Sequence, residues 1–189
     1  MGIGIWILII IGAIALFFYF MYNRLVTLRM RIKEAWSDID IQLKRRNSLI
    51  PNLVDTVKGY MKHERELLTK ITELRSSVMS ASSPKELGQL NSQLSSALGS
   101  LKVAVESYPD LKASQNFQQL QEELTNTEDK IAYSRKFYNS TVLDYNTSIQ
   151  VFPNVLFANM FGFKAFEFFE ANEEERKDVK VDFSDQSAK

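Results

Sequence analysis

Apolar residues fill the first stretch of the chain without a break. Ile3 to Tyr22 reads IGIWILIIIGAIALFFYFMY, and no charged side chain precedes Arg24. At ~1.5 Å per residue, about 20 such residues form a helix of roughly 30 Å, the thickness of the hydrocarbon layer of a bilayer. A cleaved secretory leader would have a cationic start, a shorter apolar run and a small-residue cleavage site. Here no Lys or Arg precedes the run, and it ends in Phe17, Phe18, Tyr19, Phe20, Met21 and Tyr22. Residues 1–23 are predicted to be a retained transmembrane anchor.

From Arg24 the pattern becomes periodic. Leu25, Leu28, Ile32, Ala35 or Trp36, Ile39, Leu43 and Ile50 recur at steps of three and four, which is one face of a helix with charges filling the rest. No Gly or Pro separates this segment from the anchor, so one continuous rod is expected to leave the membrane. A second run follows: Leu53, Val57, Tyr60 or Met61, Leu67, Leu68, Ile71, Leu74 and Val78. Pro51 lies between the two and has no N–H for the carbonyl of Asn47. It either kinks one long helix, the reading favoured by the short and partly apolar surroundings, or begins a new one.

Serines crowd residues 76–83, which reads as a loop. Ser83-Pro84-Lys85-Glu86 then has the form of a helix start: a capping serine, proline in the first position, and a glutamate that reaches back to the cap. Leu87, Leu90, Leu94, Leu98, Leu101 and Val105 give the next helix an almost heptad seam. After Ser107-Tyr108-Pro109-Asp110, a long helix is predicted from about Ser114 through Phe117, Leu120, Leu124, Ile131, Phe137 or Tyr138, Tyr145 and Ile149, stopping before Pro153. The predicted class is all-α: an N-terminal transmembrane helix followed by an antiparallel, up-down bundle of three to four long helices over residues 24–151. Residues 152–170 form a Phe-rich segment, with seven of the thirteen phenylalanines between Phe152 and Phe169. It is expected at the membrane-facing end, packed on the bundle or the membrane. Residues 171–189 read as an acidic flexible tail.

Composition changes this picture in two places. The chain has no cysteine, which excludes disulfides and thiolate chemistry, and its formal net charge is zero, so nothing global favours a nucleic-acid partner. Locally, seven basic residues (Arg24, Arg29, Arg31, Lys33, Lys44, Arg45, Arg46) face three acidic ones (Glu34, Asp38, Asp40) just after the span. Basic residues next to a span favour the cytoplasmic side. The expected location is the inner cell membrane, single-pass, with the N-terminus outside and the bundle in the cytoplasm.

Candidate chemistry is sparse. His63 is the only histidine, which rules out a two-histidine metal site within one chain, and His63-Glu64-Arg65-Glu66 reads as a solvated helix face. Glu122-Glu123 and Glu128-Asp129 are adjacent pairs, which point apart on a helix. The sequons at Asn139 and Asn146 fall in a predicted helix and are read as chance. No catalytic, metal or cofactor-binding residue is assigned. The candidate interaction residues are Arg45, Arg46, Asn47 and Asn52, together with Phe157, Phe161 and Phe163. For the first group, the structural alternative is compensation of a Pro51 kink by nearby Asn or Arg side chains. The second could cap the core, lie in the membrane interface, or join subunits.

The succession Tyr22-Asn23, Trp36, Gln42-Leu43-Lys44-Arg45-Arg46, Leu49-Ile50-Pro51-Asn52-Leu53-Val54, His63-Glu64-Arg65, Tyr108-Pro109-Asp110-Leu111, Asn116-Phe117, Leu120, Leu124, Tyr138-Asn139, Tyr145-Asn146 and Phe152-Pro153 resembles the LemA family. The likeness runs from the anchor to about Val181, and its most specific part is the stretch from Arg45 to Val54. The resemblance implies one N-terminal membrane helix, a short or absent outer segment and an antiparallel helical bundle. It implies no known catalytic activity, and suggests links to membrane quality control and to shaping of bacterial membranes. The expected function is a non-enzymatic, membrane-anchored scaffold or adaptor. Its expected partners are the lipid bilayer and either copies of itself or other membrane proteins. The alternative is a regulatory subunit of a membrane enzyme, such as a protease, contacted through Arg45 and Arg46.

Overall fold

The computed structural model describes residues 2–61 and 63–169; the tail expected at 171–189 lies outside them. Among these residues there are helices and no strands: α1 (Ile3–Lys58), α2 (Arg65–Ser80), α3 (Pro84–Val105), α4 (Pro109–Lys112), α5 (Gln115–Gln150) and α6 (Asn154–Met160).

Helix α1 has 56 residues and runs unbroken from the apolar span into the bundle, about 84 Å at ~1.5 Å per residue. It also runs through Pro51. The break falls at Gly59, beyond the Pro51 boundary of one reading and short of the fused helix of the other, with Met61 folded under as a buried core residue. The Asn47 carbonyl, which proline cannot serve, accepts a hydrogen bond from Arg75 Nε of α2 at 2.8 Å. Another helix thus supplies a donor for the carbonyl that proline leaves without one.

α2 folds back along the distal part of α1, which brings Arg75 to Asn47. α3 turns outward again and packs on α2, and α5 returns antiparallel to α1. Arg46 meets Glu128 and Trp36 meets Tyr138, so ten residues up α1 match ten residues down α5. The result is a four-helix head, built from the end of α1 with α2, α3 and the start of α5. It stands on a stalk made of α1 and α5 alone. One core runs through both parts, from Leu25, Ile32 and Ile39 to Leu53 and Val57 on α1, joined by Ile71, Leu94, Leu101, Ile131 and Tyr145. Of the paired alternatives on α5, Tyr138 is the buried one and Phe137 stays exposed.

The start of α3 follows the expected chemistry with one shift. Ser83 Oγ accepts from the Glu86 N–H at 3.2 Å and Pro84 takes the first helical position. The Glu86 carboxylate reaches Ser82, not the cap itself, accepting from its N–H at 2.9 Å and its Oγ at 3.0 Å.

The span is the part without cover. Ile3 to Phe17 is exposed throughout, and burial begins only at Phe18 and Met21. Among the described residues no helix covers that surface, and its length and composition suit a bilayer.

Candidate functional site

The apolar seam of α1 has a gap between Leu43 and Ile50, and the turn inside that gap carries Arg46 and Asn47. Helical periodicity carries both inward, and both are buried. Arg46 is fully buried between three helices. Its Nη2 donates to Asn91 Oδ1 of α3 at 2.5 Å, and its Nη1 donates to Glu128 Oε1 of α5 at 2.5 Å and to Ser95 Oγ of α3 at 3.1 Å. Ser95 Oγ in turn donates to the same Glu128 oxygen at 2.8 Å. Burial pushes the Arg46 pKa down, while the charge and hydrogen bond of Glu128 push it back up. Among the described residues, the buried side-chain atoms without a partner are Gln42 Oε1, Arg46 Nε and Asn47 Oδ1, all within two turns of α1.

Neighbours in sequence have opposite fates. Arg45 lies on the surface and pairs with Glu123 Oε2 of α5 at 2.5 Å. Asn52 is exposed, and its carbonyl accepts from Thr56 Oγ1 at 2.7 Å. The basic patch expected from Arg45 to Asn52 is therefore not one surface. Arg46 and Asn47 are turned into the core by the helical repeat, and of the two arginines only Arg45 is open to solvent. Compensation at Pro51 comes from Arg75, a residue the sequence reading did not single out.

A second constellation lies at the other end of the stalk. After α6 the chain passes Gly162, at φ +71°, and runs extended from Phe163 to Phe169 alongside α5. Two asparagines of α5 hold it as a neighbouring strand would. Asn146 donates Nδ2 to the Phe166 carbonyl and accepts the Phe166 N–H at Oδ1, both at 2.9 Å. Asn139 makes the same pair with Phe169, at 2.9 and 2.8 Å. Seven helical residues rise about 10.5 Å and three extended residues about 10 Å, so the two spacings match. The Tyr138 hydroxyl donates to the Glu167 carbonyl at 3.0 Å between them, and burial raises its pKa. These amides, read as chance sequons, are the fastening of an aromatic strap.

The strap's rings fill the third side of the stalk. Phe166 packs on Tyr145 and Phe169 on Trp36, with the Arg135 guanidinium 5.1 Å from the centre of the Phe169 ring. Phe163 is buried against Tyr22. Phe161 also meets Tyr22 but stays half-exposed, and Phe157 meets Phe17 and Phe18 inside the span. The three aromatic candidates thus divide: Phe163 belongs to the core, while Phe157 and Phe161 lie beside the anchor.

Other polar groups are spent on structure. His63 is exposed, and Glu64 accepts the Tyr108 hydroxyl at 2.7 and 2.8 Å, which raises the Tyr108 pKa and ties the α1–α2 turn to the α3–α4 turn. A cleft of about 210 Å³ runs between α1, α3 and α5, lined by Leu53, Leu98, Leu101, Phe117 and Leu124 with Glu128 at its edge. The Glu128 carboxylate is already committed to Arg46 and Ser95. Among the described residues, no group of three or more His, Cys, Asp or Glu side chains could hold a metal ion.

The LemA family profile matches residues 35–183, which takes in the head, most of the stalk and the strap. The chain belongs to the LemA family. It is 35% identical over 170 residues to Protein LemA of Metamycoplasma hominis, covering 86% of this chain and 76% of that one. It is also 24% identical over 174 residues to magnetosome protein MamQ of Magnetospirillum gryphiswaldense, and 25% identical over 175 residues to magnetosome protein MamQ 2 of Paramagnetospirillum magneticum. Those matches cover 78% and 79% of this chain and 64% of each magnetosome protein, just under two thirds of their length. With its apolar N-terminal helix, this LemA-family chain is a membrane-associated helical protein.

Proposed function

We propose that this protein is a non-enzymatic scaffold or adaptor that holds a helical head at a fixed height above the inner face of a bacterial membrane. There it docks copies of itself or other membrane proteins. The observation that carries the reading is the continuity of α1. One helix of 56 residues is anchor, stalk and head wall together, so no hinge uncouples the head from the bilayer. The side chains that could have served catalysis or anion binding, Arg46, Glu128, Asn91 and Ser95, are consumed in holding the head together. The basic residues after Arg24 favour the cytoplasmic side for the head.

The stalk offers apolar side chains for docking. Met30 and Ile41 are exposed and eleven residues apart, three turns of α1, so they share a face. Tyr133 and Phe137, one turn apart on α5, are exposed as well. The test uses the absence of native cysteine: single cysteines at Met30 and Tyr133, crosslinked in intact cells, with the attached proteins identified by mass. Crosslinks to a second copy or to a recurring membrane protein are the expected result. The absence of any protein adduct at both positions would overturn the docking role. Adducts confined to one membrane enzyme, with its activity changed when this protein is deleted, would replace the scaffold by a regulatory subunit.

A further inference from the structure

The turn that carries α6 is built for lipid and not for water. From Val151 to Phe163 no side chain is charged; Lys164 is the first. Its large apolar residues point outward, with Phe152 81%, Leu156 60% and Met160 66% exposed. Leu156 and Met160, one turn apart, share a face of the helix. Such a surface would be costly in water. It is also continuous with the anchor: the Phe157 ring sits 4.2 Å from that of Phe18 and 6.5 Å from that of Phe17, and Phe161 sits 5.4 Å from Tyr22, centre to centre. Phe18 lies six residues before Arg24, the first charge of the chain. At ~1.5 Å per residue that is about 9 Å below the charged level, within the ~5–10 Å depth of an interfacial helix.

The backbone at both ends of α6 goes part of the way to the further requirement that lipid imposes, since unpaired N–H and C=O groups are expensive there. The end of α6 is closed by Phe163 N–H to the Ala158 carbonyl at 2.9 Å and Gly162 N–H to the Asn159 carbonyl at 3.3 Å. This closure requires the left-handed residue after the helix, which Gly162 supplies. At the other end, Asn154 Nδ2 donates to the Ser148 carbonyl at 2.9 Å, and Val155 N–H to the Val151 carbonyl at 3.0 Å. The polar side chains of α6, Asn154 and Asn159, are uncharged.

We infer that residues 151–163 form a second membrane contact, a half-depth turn whose Phe152, Leu156 and Met160 enter the acyl chains of the leaflet on the Arg24 side. The strap pulls the chain out again, with Asn146 and Asn139 fastening it to the stalk. A single span can rotate about its own axis and tilt. A second insertion beside it fixes which face of the stalk looks along the membrane, so the head is held in orientation as well as in height.

The inference rests on residues 3–22 spanning the bilayer, and the experiment separates the two. Nitroxide labels go on single cysteines at Leu156, Met160, Leu16 and Ser107 of the full chain, reconstituted in phosphatidylcholine–phosphatidylglycerol vesicles. Collision with oxygen is compared with collision with a water-soluble nickel chelate. Labels at Leu156 and Met160 should favour oxygen several-fold over the label at Ser107, approaching Leu16. Ser107-like values at 156 and 160, with Leu16 in lipid, would overturn the second contact and leave the anchor standing. Spin–spin broadening at Met160 that disappears on dilution with unlabelled protein would overturn it in favour of a second copy. An aqueous signal at Leu16 would overturn both.

Discussion

Glu128→Ala isolates the buried guanidinium at the centre of the head. The substitution leaves Arg46 fully buried with only Asn91 and Ser95 as partners. Removing one member of a buried pair costs about 3–5 kcal/mol, because the remaining charge is stranded. The Glu128 side chain is 32% exposed, so water can reach part of the vacated space and the lower end applies, about 3 kcal/mol. The adjacent pair is an internal control. Arg45 and Glu123 are each 46% exposed, and Glu123→Ala should cost no more than about 1 kcal/mol. For a chain of this size ~1 kcal/mol moves Tm by roughly 2–4 °C, so the two variants should differ by several degrees. Thermal unfolding of the full-length protein in lipid nanodiscs, followed by circular dichroism, reads this directly. Replacing both partners with apolar residues, Arg46→Met with Glu128→Leu, should recover most of the loss, since a well-packed apolar substitute for a buried pair is often neutral or better. Equal Tm values for Glu128→Ala and Glu123→Ala would refute the assignment of Arg46 as a buried structural charge.

Three further outcomes follow from the other contacts. Arg75→Met strands the Asn47 carbonyl and should cost about 1–3 kcal/mol in the same assay. In a Pro51→Ala background, where the backbone N–H returns, the cost should shrink; an unchanged cost would show that Arg75 does not act through that carbonyl. Asn139→Ala with Asn146→Ala removes four hydrogen bonds from the strap, and amide exchange at Phe166 and Phe169 should accelerate by orders of magnitude while α3 keeps its protection. Uniform acceleration would place the strap within the global unfolding unit instead. Hydrogen bonds from Ser82 and Ser83 hold the Glu86 pKa below its ordinary value. Their support for the start of α3 is thus present above the ordinary carboxylate pKa and lost as pH falls through the depressed one. Exchange at residues 83–87 should rise over that acidic window in the native protein and stay flat in Glu86→Gln.

Much of the architecture was legible because helical periodicity and charge are local signals. The anchor, the heptad seam of α3, the capped start at Ser83 and the length of α5 are all written in residue spacing. Two things were not. The head's polar centre depends on which helices meet, and a lone sequence hides that pairing. The clue was a gap in the seam at Arg46, where an apolar residue was due between Leu43 and Ile50. The strap was hidden for another reason. Asn139 and Asn146 fasten an extended segment through tertiary contact, so neither helical periodicity nor strand alternation marks it. The spacing of seven between two asparagines facing a Phe-rich segment was the available trace. At Pro51 the favoured reading of one helix passing through the proline holds, and what the sequence hid was the partner: Arg75 of α2 serves the carbonyl that proline leaves unpaired.

The central claim is that one rod carries the head on the inner side of a membrane. Cysteines introduced singly at Gly2 and at Ser107, which lies at the far end of the head, test it in intact cells with a thiol reagent that cannot cross the bilayer. The account predicts labelling of Gly2→Cys from outside, and of Ser107→Cys only after permeabilisation. Labelling of Ser107→Cys in intact cells would put the head on the other side and contradict the account.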